Sequence, residues 1–222
     1  MNLPGNLAGR TGIAPALAPE AITAAVGALP LTQAYTIVGQ KLNMIAANAS
    51  QAFDFNGPAF TVDTACSSAL SALHGTTLHL RHGTEDAALV GGVYVQLDPT
   101  MMVCFSRIGT LSFSDHCRPF QAAADGFVFA EGAGMVALKR LGDAQRDGDR
   151  VIAILRGVAM NNDGRGTGPL TPNATGQAAA IAEAWRTAGC DRTSVGLIEA
   201  HAIATPAGDG IGLDALTSAF AS

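Results

Sequence analysis

Between residues 59 and 83 the apolar positions change their spacing. Phe60 and Val62 alternate with the polar Thr61 and Asp63, a period of two that predicts a short strand. Beyond Cys66, the residues Ala69, Leu70, Leu73, Leu78 and Leu80 fall near helical spacing, and Gly83 stands where a cap glycine belongs. The switch predicts a strand, a sharp turn carrying Cys66, and a helix running to about His82.

Upstream, residues 31–52 carry Ile37, Leu42, Ile45 and Ala46 near one face and predict a helix, with 53–57 as the turn into the strand. Residues 1–30 are rich in Ala, Gly and Pro and read as a lead-in segment, with a short helix over 19–26. Downstream, 87–95 is an apolar run suited to a buried parallel strand, in which Gly91 and Gly92 permit close backbone approach. Residues 99–113 are ambiguous, and 114–119 read as a loop. Residues 126–138 predict a strand pair joined or bulged at Gly132 and Gly134. A short helix or turn over 141–149, a strand over 151–159 and a glycine-rich loop over 161–169 follow. Residues 174–188 form the clearest helix, ending at Gly189. The last strand, 195–200, delivers His201 at its end, and 213–220 starts another helix.

Strands alternating with helices predict an α/β fold with a mainly parallel sheet, in which reactive residues gather outside the carboxyl ends of strands. Both Cys66 and His201 fall at such ends. Composition changes this picture little. The 222 residues are 48% hydrophobic and only 14% charged, enough for a substantial core, and 26 glycines imply many tight turns. A net charge of −5 argues against nucleic-acid binding. No apolar run is long enough for a membrane span, and no signal peptide is recognisable. Cys66, Cys104, Cys117 and Cys190 show no CxxC pairing, so neither a metal site nor a disulfide framework is expected, and a reduced, cytoplasmic protein is the default.

The chemistry centres on Cys66. Free N–H groups and partial positive charge at a helix N-terminus favour thiolate, and a tight turn lifts the sulfur out of the sheet. From this context two readings stand side by side: a nucleophile, or a small buried apolar residue. His201 likewise reads as structural or as an imidazole supplying charge to acyl transfer, and it meets Cys66 only if the two strand ends adjoin. His74, His79 and His82 look like helix-face residues and His116 like a loop residue. The 161–169 loop lacks the Lys of a phosphate-binding loop, so nucleotide binding is not expected there.

The wording Val62-Asp63-Thr64-Ala65-Cys66-Ser67-Ser68-Ala69-Leu70 closely resembles the active-site signature of the β-ketoacyl synthases, particularly the ketosynthase domains of type I polyketide synthases. Further segments resemble the family in its order: 87–93, 105–112, 117–120, 124–134, 138–141, Asn161-Asn162-Asp163-Gly164 and Glu199-Ala200-His201. The resemblance implies a thiolase-like fold, here the N-terminal half (31–150) plus the beginning of the C-terminal half (151–222). It also implies Cys66 as the nucleophile that accepts an acyl chain from an acyl carrier protein, and His201 as the first of two histidines. These serve decarboxylation of malonyl-carrier protein and its condensation with the acyl group. No cofactor or metal is implied beyond the carrier's phosphopantetheine. A homodimer, or association with a larger synthase, is expected; nucleic acid and membrane are not.

Three departures qualify the expected activity. The family's Gly-Thr-(Gly or Ala)-Thr after the histidine is here Ala202-Ile203-Ala204-Thr205, placing a Cβ where Gly tolerates positive φ. The usual Gly-Asp-Pro-Ile-Glu is Gly208-Asp209-Gly210-Ile211-Gly212, without its acidic residue. The second-histidine motif and the glycine-rich C-terminal motif have no counterpart in these residues. A catalytically impaired binding or dimerisation module associating with a synthase or carrier protein is the alternative expectation.

Overall fold

The computed structural model describes Gly27, Gln33, residues 35–166, Gly168 and residues 170–221. Apart from Gly27, the lead-in segment lies outside these residues together with its expected helix over 19–26, as do Thr167 and Pro169 of the glycine-rich loop.

The helix expected over 31–52 is two helices, α1 (Thr36–Gln40) and α2 (Asn43–Phe53), because Lys41 between them is extended at ψ 125°. Asp54 then takes a left-handed conformation, φ 55°, and closes α2 with its N–H on the Ser50 carbonyl. The best-formed unit follows. Helix α3 (Ser68–His82) ends on Gly83 at φ 71°, with Arg81 in its last turn, where a cation complements the helix dipole. It packs on strand β1 (Ala87–Tyr94) so closely that a Cβ on Gly92 would stand 3.2 Å from the Ala69 methyl.

Strand β1 pairs with β2 (Gly132–Lys139) in an unbroken antiparallel register from Ala87↔Lys139 to Tyr94↔Gly132. The expected strand pair in 126–138 is therefore one strand without a bulge, and the described ladder is antiparallel where mainly parallel pairing was expected. The only parallel pairing among the described residues is a single bridge, Leu111↔Phe127. Arg140 fastens the ladder's end. Its guanidinium donates to the carbonyls of Leu80 (3.0 Å) and Glu85 (2.6 Å) and pairs with Asp86 and Asp143.

The ambiguous 99–113 stretch holds helix α4 (Thr100–Arg107). Phe105 on α4 meets Phe127 and Phe129 edge-on at 5.4 and 5.5 Å, and Tyr94 stacks on Phe129. Helix α5 (Leu141–Asp147) ends on Gly148 at φ 74°. Asn173 caps helix α6 (Ala174–Ala188) by accepting the N–H groups of Thr175 and Gly176. Helix α7 (Pro206–Ala221) begins seven residues before the expected 213 and packs on α6, with Trp185 edge-on to Phe220 at 5.8 Å.

Three expected strands, 59–63, 151–159 and 195–200, form no ladder among the described residues. Their apolar side chains are correspondingly bare: Ile152 is 88% and Leu197 84% exposed. A helix satisfies its own backbone, whereas a strand exists only against a neighbour, so an apolar run with strand propensity stays irregular where none pairs with it. Burial is concentrated in small residues. Leu80, Val90, Ala144, Ala204, Ala215 and Ala219 are the buried apolar positions among the described residues.

Candidate active site

Cys66 is the middle residue of a 3₁₀ turn, Ala65–Ser67, that runs directly into α3. The turn is entered through a backbone conformation that L-residues avoid: Ala65 has φ 56°. Side-chain oxygens hold it there. Asp63 accepts the Ala65 N–H at 3.0 Å, and the Ser68 hydroxyl accepts the Thr64 N–H at 2.9 Å while donating to the Ala65 carbonyl at 2.7 Å. Ser67 donates to the Thr64 carbonyl at 2.8 Å, and the Thr64 and Ser71 hydroxyls meet at 2.8 Å. Ser68 and Ser71 are buried, so their bonds are partly shielded from competing water, whereas those of Asp63 and Ser67 lie at the surface. The outcome is an exposed thiol on a turn that the surrounding hydroxyls over-determine. The expected elbow is present. The strand expected before it is an unladdered approach, with Phe60 53% exposed.

His201 is exposed and opens a loop, 201–205, that leads into α7. Ala202 (φ 45°) and Ala204 (φ 57°) are both left-handed, so this loop uses the geometry for which glycine is suited while carrying methyl groups. The altered Ile203 lies along the first turn of α7, its Cγ1 3.7 Å from where a Gly208 Cβ would stand. Thr205 caps that turn by accepting the Gly208 N–H at 3.2 Å, and Pro206 takes the first helical position, where no N–H is needed.

Two further contacts fix the loop. The fully buried Ala204 has its carbonyl bonded by the Gly126 N–H at 2.8 Å and its N–H by the Asp209 carboxylate at 3.1 Å. Beside Gly126, Asp125 accepts from the Ser112 hydroxyl at 2.7 Å and from the Phe113 N–H, with Arg118 at 3.7 Å. The Ser112 bond, more than the Phe113 bond and Arg118, holds the Asp125 carboxyl below the usual carboxylate range.

A cavity of about 690 Å³ adjoins the elbow. Ser67, Leu70 and Ser71 line one wall, the Met160–Gly164 stretch the second, and Asn173, Gln177 and Ala180 the third. Asn161 is held toward α6 by donating to the Gly176 carbonyl at 2.7 Å. The 161–164 segment was legible as a family motif, yet its position beside the elbow was not, because it depends on how α6 packs. No hydrogen bond joins Cys66 to His201 among the described residues, and neither lines this cavity.

His79 bonds Glu85 at 2.8 Å and His116 pairs with its neighbour Asp115, so these two imidazoles have local partners. All four cysteines are free thiols. No helix among the described residues is long and apolar enough to cross a membrane.

An α/β chain with an elbow of this kind at a helix N-terminus, of thiolase-like fold, has close structural counterparts. An oxazolomycin ketosynthase domain from Streptomyces albus JA3453 matches with TM-score 0.79 and 40% identity over 82% of this chain and 31% of its own. The ketosynthase from module 6 of the bacillaene synthase of Bacillus subtilis 168 matches with TM-score 0.80 and 35% identity, over 86% and 35%. The description "Beta-ketoacyl synthase, N-terminal domain" fits residues 11–144 and "Beta-ketoacyl synthase, C-terminal domain" fits residues 152–222. The chain belongs to the β-ketoacyl synthase family.

Among curated relatives, a mycocerosic acid synthase-like polyketide synthase of Mycolicibacterium smegmatis is 43% identical over 88% of this chain and 9% of its own length. The phthioceranic/hydroxyphthioceranic acid synthase of Mycobacterium tuberculosis is 43% identical over 84% of this chain and 9% of its own. The chain thus spans about a tenth of these synthases and about a third of the solved ketosynthase chains.

Proposed function

We propose that this chain contributes the acyl-accepting site of a polyketide-type ketosynthase, with Cys66 as the nucleophile. The observation that carries the reading is the strained Ala65 conformation, held at its N–H by the Asp63 carboxylate and at its carbonyl by the Ser68 hydroxyl, which presents an exposed thiol at the start of α3. The Cys66 thiolate attacks the carbonyl of an acyl thioester on a carrier protein's phosphopantetheine. The tetrahedral oxyanion collapses, the carrier's thiolate leaves and takes up a proton, and the acyl group remains on Cys66.

His201 acts in the following half-reaction. Malonyl-carrier protein loses carbon dioxide, and the resulting carbanion attacks the acyl-cysteine and releases its thiolate. His201 stabilises the developing charge together with a second histidine outside these residues. The working state is a homodimer or an association with a larger synthase, in a cytoplasmic setting, and the chain itself requires no cofactor.

A second reading, a binding or dimerisation module impaired in condensation, is favoured by a specific pair of observations. The loop after His201 carries methyl groups at two left-handed positions, and large apolar side chains such as Ile152 and Leu197 stand almost fully exposed. Intact mass after incubation with a short acyl thioester, with Cys66→Ala as control, decides between them. An adduct lost in the variant supports acyl acceptance. No adduct on folded protein removes it and leaves binding.

A further inference from the structure

Asp209 is the one carboxylate among the buried residues of the described chain, 7% exposed, and the proposed chemistry gives it no task. It sits in the first turn of α7, where a negative charge is favoured by the helix dipole. Its two oxygens are divided between two different loops. Oδ1 accepts the N–H of Ala204 at 3.1 Å, and Oδ2 accepts the N–H of Phe120 at 2.7 Å. Both donors belong to non-glycine residues held left-handed, Ala204 at φ 57° and Phe120 at φ 62°. Such conformations cost free energy and persist only where surroundings fix them.

We infer that Asp209 is a positioning residue: its carboxylate locks the His201 loop against the Phe120 turn and so sets the orientation of His201. Two features make a carboxylate the suitable group. Only an ionised carboxylate offers two equivalent acceptors to two backbone donors without bringing a donor of its own. A charge-assisted bond to a backbone N–H is also stronger than a neutral one, which suits a clamp acting against backbone strain. The Ala204 carbonyl is held by Gly126 at 2.8 Å, so Asp209 completes a peptide unit gripped from both sides. His201 lies three residues before Ala204, and Ala202 between them is left-handed too, leaving little freedom once Ala204 is fixed.

The assignment rests on His201 having the role proposed above, and the test separates the two ideas. Backbone hydrogen exchange and the ring resonances of His201 are followed by NMR in the wild type, in Asp209→Asn, and in Asp214→Asn, an exposed control on the same helix. The amide of Asn supplies one acceptor and one donor in place of two acceptors. In the wild type, the Phe120 and Ala204 amides should exchange at least ten-fold more slowly than the open 201–203 loop. In Asp209→Asn at least one of them should lose ten-fold or more, and the His201 ring resonances should move. Those of His79 on α3 should stay, and Asp214→Asn should resemble the wild type throughout.

The inference is overturned if Asp209→Asn leaves the His201 signals and both amides unchanged. It is also overturned if Phe120 exchanges freely in the wild type, a result that holds even where the variant does not fold. Acyl loading of Cys66, read separately by mass, reports on the proposed function. Its absence with the His201 shift intact removes that function and leaves the clamp.

Discussion

Gly91 of β1 lies so close to β2 that a Cβ at position 91 would stand 2.2 Å from the carbonyl oxygen of Gly134 and 3.0 Å from the Met135 Cα. Both obstacles are backbone atoms, so no side-chain rotation relieves them. Gly91→Ala should therefore destabilise the protein by about 1–3 kcal/mol, the usual cost of overpacking. Gly132→Ala, where a Cβ meets open space, should cost much less. Urea denaturation of the two variants checks this, and equal midpoints would count against the close approach.

The loop after His201 makes the opposite prediction. Ala202 is left-handed at φ 45° and only partly buried, so replacing it with Gly removes the Cβ conflict while sacrificing little packing. Ala202→Gly should raise stability by roughly 1 kcal/mol, the strain of a non-glycine residue in this region offset in part by a more flexible unfolded chain. A lower melting temperature would show that the loop is not held as described. Ala204→Gly should gain less, since Ala204 is fully buried and its methyl is packed.

These examples show which features were legible in the sequence. Helix ends were legible at Gly83 and Gly189, because their signals are local: both stand left-handed just after α3 and α6. The break at Lys41 was missed because a side-chain pattern does not report a single extended backbone angle. Strand pairing was not legible, since the apolar run at 87–95 is compatible with either direction and only its partner decides. The elbow at Cys66 was legible from its wording. Asp209 was read only as part of an altered motif. Its importance lies in accepting from Phe120, 89 positions away, a relation no local pattern encodes.

Acid should expose a second electrostatic element. Asp147 at the end of α5 is held at about 2, chiefly by hydrogen bonding to Arg146 and then to Lys139, against an ordinary value of 3.8. A carboxyl depressed on folding contributes stability that is present above its unfolded value and is lost as pH falls through its folded one. The contribution should therefore persist above about pH 4 and fade toward pH 2. Asp147→Asn should have a flatter dependence of melting temperature on pH across that window. Parallel wild-type and variant curves would refute the pairing.

Ser68 links stability to chemistry. Its hydroxyl, in a residue only 4% exposed, accepts the Thr64 N–H at 2.9 Å and donates to the Ala65 carbonyl at 2.7 Å, bridging the two residues that precede Cys66. Ser68→Ala removes both bonds and leaves the Thr64 N–H without that acceptor, at an expected cost of about 1–3 kcal/mol. The cost falls on the one segment whose geometry presents the thiol, so acylation of Cys66 should slow as well. Ser68→Thr retains a hydroxyl and should recover part of both losses. Denaturant midpoints and the rate of acyl-adduct formation, measured on the same three proteins, test the coupling. If Ser68→Ala loses stability while Cys66 acylates at the wild-type rate, the hydroxyl network supports the fold without shaping the elbow.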